Sequence, residues 1–160
     1  MNEDMIAKAV EEVIREVLDQ KKCMTLELAK QLIAKVEEKA KSLGVAVVIA
    51  VSDASARPVA IHSMDGSYIG SFDVAVNKTF TSAGFKMSTA ELGKLSQPGE
   101  SLYGIQFTNQ GKIVIFGGGE PLMVENTMIG ALGVSGGTAE QDTELAAYGK
   151  TILKEVISCL

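Results

Sequence analysis

One imidazole, two thiols and a run of closely spaced glycines are the groups in this 160-residue chain whose types and spacing could do chemistry. His62 is the only histidine, and Cys23 and Cys159 lie near opposite ends. A lone imidazole cannot hold zinc without further ligands, and two distant thiols add little. It can bind a haem iron from one side or move a proton near neutrality. A plain surface or helix-covered histidine is the alternative. Met64 offers a soft thioether, which could be an axial ligand or simple packing. Lys78 stands in a helical stretch among Ala75, Val76, Phe80 and Ala83. It could snorkel outward or hold a propionate at a pocket mouth. Tyr103 and Phe107 could present aromatic surface to a flat ligand or belong to the core.

The glycines fall between Val114 and Asp142, in the stretch VIFGGGEPLMVENTMIGALGVSGGTAEQD. Gly117, Gly118 and Gly119 form one cluster, and Gly133, Gly136 and Gly137 form a second. Glycine loses more backbone freedom on folding than any other residue. Such clusters therefore mark positive φ, or backbone lying close to a strand, a subunit or a ligand. The first cluster is followed by no helix with the spacing of a dinucleotide fingerprint, and by no phosphate-loop G-K-[ST]. Ser135-Gly136-Gly137-Thr138 leads from a strand into a helix, whose free N–H groups could hold a carboxylate. A tight turn with Thr138 as N-cap explains the same residues. No G-x-S-x-G elbow is present. Glu140, Asp142 and Glu144 suit the dipole of a helix start and are no metal signature.

These groups must be positioned by regular elements. Ile6, Val10, Ile14 and Val17 recur at helical spacing, which predicts an amphipathic helix over Asp4–Leu18. Thr25 is a good N-cap for a second helix that ends before Gly44. Val45–Val51 reads as a buried strand, paired in a hairpin with strand 58–63. Alternation on that second strand puts His62 on the face of Pro58 and Ala60. Helices follow over Ile69–Phe85 and Thr89–Leu95. Tyr103–Phe107, Lys112–Phe116 and Met128–Val134 read as strands, the first two joined by a turn at Asn109-Gln110-Gly111. Leu122–Glu125 is a candidate extra strand, and Thr138–Ser158 is the last helix. The order predicts an antiparallel sheet with helices, not βαβ units.

The composition, 46% hydrophobic and 22% charged with a net charge of −5, fits one domain with a sizeable core. No basic footprint for nucleic acid is present. No stretch of 18 apolar residues predicts a membrane span, and the first residues lack the pattern of a secretory signal. The cysteine usage fits a reduced cytoplasmic protein.

Taken together, QPGESLYGIQFTNQGKIVIFGGGEPL from Gln97, MIGALGVSGGTAEQD from Met128, Met64-Asp65-Gly66 and NKTFTSAGF from Asn77 are distinctive. On these stretches the chain resembles the GlcG/HbpS-like haem-binding or haem-degrading family. Within it, the likeness is greatest to the C-terminal domain of PduO-type proteins of propanediol utilisation. The resemblance covers about Thr25 to Ser158. It implies a profilin-like α/β (α+β) fold with a five-stranded antiparallel sheet flanked by helices. It also implies homo-oligomers, either dimers or octamers, with haem as the cofactor.

PduO-type domains carry a haem-linked histidine near the start of the first family helix. Here QKKCMTLELAK holds none, which leaves Cys23 and His62 as the iron ligands the resemblance points to. Met64, Lys78, Gly118, Gly119, Gly136 and Gly137 complete the implied cofactor site. The adenosyltransferase domain of full PduO is not part of the resemblance, so cobalamin adenosylation is not expected.

The chain thus divides into an N-terminal helix within residues 1–20 and a domain over 25–160. The helix looks like an encapsulation peptide, docking by residues 4–18 onto a shell or cargo protein of a bacterial microcompartment. Packing on its own domain, or in an oligomer interface, is the alternative. The function this implies is a haem-binding auxiliary protein of a microcompartment pathway, cytoplasmic or inside the lumen. A non-catalytic oligomeric structural protein, and an enzyme holding an acidic ligand at Gly136–Thr138, are the alternatives.

Overall fold

The computed structural model describes residues 3–20 and 23–160. After an N-terminal helix α1 (Glu3–Gln20), the domain begins with α2 (Leu26–Ser42). Thr25 caps α2, its Oγ1 accepting from the Leu28 N–H at 3.1 Å. Leu28, Leu32, Ile33, Val36 and Ala40 recur every three or four residues and are all buried. Strands β1 (Val48–Asp53) and β2 (Pro58–Ser63) form the expected hairpin, with Val48 opposite Ser63. Helices α3 (Ser71–Phe85) and α4 (Thr89–Leu95) follow. A second hairpin, β3 (Gly119–Val124) and β4 (Thr127–Ser135), leads into α5 (Ala139–Ser158). Thr138 caps α5 in a reciprocal box with Gln141.

The described residues form an antiparallel sheet in the order β2-β1-β4-β3, between two helical layers. Val47, Ile49 and Val51 share one core with Leu32, Ile33 and Val36 of α2 and Leu145 and Leu153 of α5. Val48 and Ala50 point the other way, onto Ala75 of α3. With helices on both faces, both faces of β1 are buried as far as Val51, which is why Val45–Val51 carries no polar residue.

The sheet has four strands among the described residues, not the five of the profilin-like expectation. Tyr103–Phe107 and Lys112–Phe116 are not strands. Gly104, Asn109, Gln110 and Gly111 take positive φ, and 3-10 turns cover Ile105–Phe107 and Asn109–Gly111. Positive φ at 109–111 would suit a hairpin turn, but Gly104 and the 3-10 turn over Ile105–Phe107 leave no pleated strand to enter it. Lys112 is helical in backbone, and residues 113–116 pair with no strand. The Val114 N–H bonds to Thr81 Oγ1 of α3 at 3.0 Å, and the Ile115 carbonyl lies against Gly93 of α4. A helix hydroxyl thus takes the place of the ladder partner expected for strand 112–116. The strand that pairs with β4 is instead 119–124, longer than the short strand read at Leu122–Glu125.

Candidate functional site

Three elements converge on one buried ion pair. Lys78 projects from α3, and its side chain is fully buried. Its ammonium donates to Asp142 Oδ2 at 2.8 Å and to the Val134 carbonyl at 2.7 Å. The Phe116 ring centroid lies 4.8 Å away. Asp142, on the first turn of α5, accepts the Gly137 N–H at 2.9 Å with its other oxygen. Burial pulls the Lys78 ammonium below its usual 10.5, because the loss of water outweighs the Asp142 hydrogen bond and charge.

Both glycine clusters close on this pair. Gly118 takes φ +109, and a Cβ there would lie within 3 Å of Lys78 Nζ, the Val134 oxygen and Asp142 Cβ. Its carbonyl accepts the Val134 N–H at 2.8 Å. Gly119 donates to Thr89 Oγ1 at 2.9 Å and leaves no room for a Cβ beside Ser82 and the Lys78 backbone. Gly136, at φ +144, brings the chain against the Ala46 carbonyl. The backbone therefore lies close to protein at each of these positions.

A cleft of about 410 Å³ lies at the start of α5, lined by Gly44–Ala46, Gly66, Tyr68, Gly136–Thr138 and Gln141. Three of the N–H groups at this helix start already have partners. Gly137 N–H serves Asp142, Thr138 N–H serves Gln141 Oε1, and Gln141 N–H serves Thr138 Oγ1. A carboxylate taking any of these three would have to displace the side chain that already satisfies it.

His62 occupies a different surface. It stands opposite Ile49 on β2, so it faces α2, on the same side as Ala60. There its Nδ1 lies 2.8 Å from Glu37 Oε1. The imidazole is 43% exposed and the carboxylate 22%. Cys23 is exposed and precedes α2. From Leu26 to Glu37 the helix alone advances about 16 Å at 1.5 Å per residue. Cys23 and His62 therefore do not meet on one iron within a single chain.

The structure thus gathers Lys78, Gly118, Gly119 and Gly137 around Asp142, with Gly136 beside them. It leaves Cys23 and His62 apart from that cluster and from each other. Met64 is half-buried and packs on the main core. Tyr103 and Phe107 are exposed. The sequence offered Asp142 only as a helix-dipole residue and did not single out Glu37. Asp142 is 64 residues from Lys78, and Glu37 is 25 from His62, so no local pattern marks either pair. Among the described residues, no three His, Cys, Asp or Glu side chains gather as a metal site. No helix there is long and apolar enough to cross a membrane.

Comparison with known proteins follows the same outline. The model of the family described as haem degrading protein HbpS-like matches residues 24–150. A 15.0 kDa protein encoded in the dhaT-dhaS intergenic region of Citrobacter freundii is 45% identical over 123 residues, 77% of this chain and 87% of that protein. The corrinoid adenosyltransferase PduO of Salmonella typhimurium is 39% identical over 116 residues, 72% of this chain. The match spans only 34% of that enzyme's length. Among solved structures, the complex of PduOC with haem superposes with a TM-score of 0.78 at 35% identity, covering 81% of this chain and 94% of that one.

Proposed function

The chain belongs to the HbpS-like family, and on that premise we propose that it is a haem-binding auxiliary protein of a bacterial microcompartment pathway, with His62 as the iron ligand. The observation that carries this reading is the His62–Glu37 pair. A ligating histidine commonly donates its second ring N–H to a carboxylate, and here Glu37 takes Nδ1 while the ring stays half exposed. The donor set fits an axial ligand, and bound haem would supply a redox-active iron beside it. Cys23 is the rival ligand, at the place where PduO-type domains carry their histidine. Support for the haem itself comes from the haem complex of a relative. The engaged donors at Gly137 and Thr138 argue against an enzyme for acidic substrates.

Titration of the reduced protein with ferric haem, followed by absorbance, tests the assignment. One-to-one saturable binding is expected, with the Soret shift abolished in His62→Ala and retained in Cys23→Ala. Saturable binding lost only in Cys23→Ala would move the ligand to the thiolate. Absence of saturable binding would leave a non-catalytic oligomeric protein as the better reading.

We also propose that α1 is a docking helix for a microcompartment shell or cargo protein, and that the domain is a homo-oligomer in the cytoplasm or the compartment lumen. Met5, Ile6, Val10, Val13 and Ile14 line one apolar face of α1 and stand exposed. A short helix with an uncovered stripe is marginal alone and gains from a groove. Deleting residues 1–20 is expected to leave the urea-unfolding free energy of the domain within about 0.5 kcal/mol of the parent, the scatter of surface changes. It should also abolish enrichment in purified compartments. A large loss of stability would place the helix in the core and sink the targeting role.

A further inference from the structure

We infer that Glu37 is a positioning residue that sets the tautomer and donor strength of His62; this rests on His62 being the iron ligand. An ionised carboxylate has no proton to give. The 2.8 Å contact between Nδ1 and Glu37 Oε1 therefore requires the proton on Nδ1. In the neutral ring that leaves Nε2 with its lone pair bare. No hydrogen bond occupies Nε2 among the described residues, and the ring is 43% exposed. The bare nitrogen is thus the one without a protein partner.

The pair is built by tertiary structure. Strand register holds His62 opposite Ile49 on the face that packs against α2. Glu37 stands directly after Val36, one of the buried residues that seat α2 on that face. The helix is held by its core stripe, so the carboxylate is presented from a fixed platform. It is the less exposed partner, which limits competition from water.

A carboxylate on Nδ1–H gives the imidazole partial imidazolate character. That strengthens Nε2 as a donor and favours ferric over ferrous iron. Losing such a partner commonly weakens metal binding about 10–100-fold. Removing only its charge should act chiefly on the redox balance.

The test has a haem-free arm and a haem-bound arm. In the haem-free protein at neutral pH, the ¹⁵N shifts of His62 should report an Nδ1–H tautomer. In Glu37→Ala the Nε2–H form should gain population. An Nε2–H ring in the parent overturns the inference, whatever haem does.

In the haem-bound arm, Glu37→Ala should weaken ferric haem binding at least tenfold. Glu37→Gln, which keeps the shape and an acceptor oxygen, should recover most of that affinity. It should still raise the reduction potential. A tenfold change in the ferric-to-ferrous preference corresponds to about 59 mV for one electron. Unchanged affinity and potential in both Glu37 variants, where His62→Ala abolishes binding, would overturn the role of Glu37 alone. Unchanged binding in His62→Ala would instead overturn the ligand assignment.

Discussion

Replacing Asp142 by alanine is expected to lower stability by about 3–5 kcal/mol, the range for breaking a buried ion pair from one side. The reason is what remains. The Lys78 ammonium would keep one acceptor, the Val134 carbonyl, with its side chain still shut away from water. The Gly137 N–H would lose its acceptor as well. Urea unfolding with an unchanged slope would report the loss as a shift in midpoint. A loss below about 1 kcal/mol, the value of an exposed pair, would mean that the pair is not sealed. The double change Lys78→Met with Asp142→Leu should recover most of the loss, because it removes both charges and refills the space. The pair therefore specifies how α3, β4 and α5 meet more than it adds net stability.

Gly118→Ala should be almost as damaging, by roughly 3 kcal/mol or more, for two reasons that add. The backbone there is in the left-handed half of φ space, which costs a side-chain-bearing residue on the order of 1–3 kcal/mol. The new methyl would also meet Lys78 Nζ at 2.6 Å, the Val134 oxygen at 2.7 Å and Asp142 Cβ at 2.8 Å. Overpacking of that kind costs about 1–3 kcal/mol more. None of the three can retreat without opening the ion pair. Gly84→Ala is the matched control of opposite sign. Gly84 lies on the exposed face of α3 with nothing within 4 Å of a Cβ. There alanine should stabilise by about 0.5–1 kcal/mol. A similar small effect at both positions would show that Gly118 is not held against the pair.

Much of the scaffold was legible because it depends on short-range rules. The Thr25 and Thr138 caps, the α2 stripe, the β1 run and the Thr89–Leu95 helix follow from neighbours within a turn or a pleat. The segment 103–116 misled, since apolar stretches around a turn signal say which residues are buried and not what they are buried against. Ile113 and Val114 are buried beside α3 rather than in a sheet. Reading a fifth strand there, or from the family likeness, missed that difference.

The glycine clusters were visible as an anomaly, but their cause was not. Their neighbours across the fold are Lys78, Asp142 and Ala46. By itself the sequence determined the caps, the helical and strand periods, the acidic balance and the family outline, all set by local spacing or by long matching motifs. Only the tertiary structure decided that Lys78 meets Asp142 and that His62 meets Glu37. Packing of helices on both faces of the sheet makes those contacts, and it brings together residues that no local period relates.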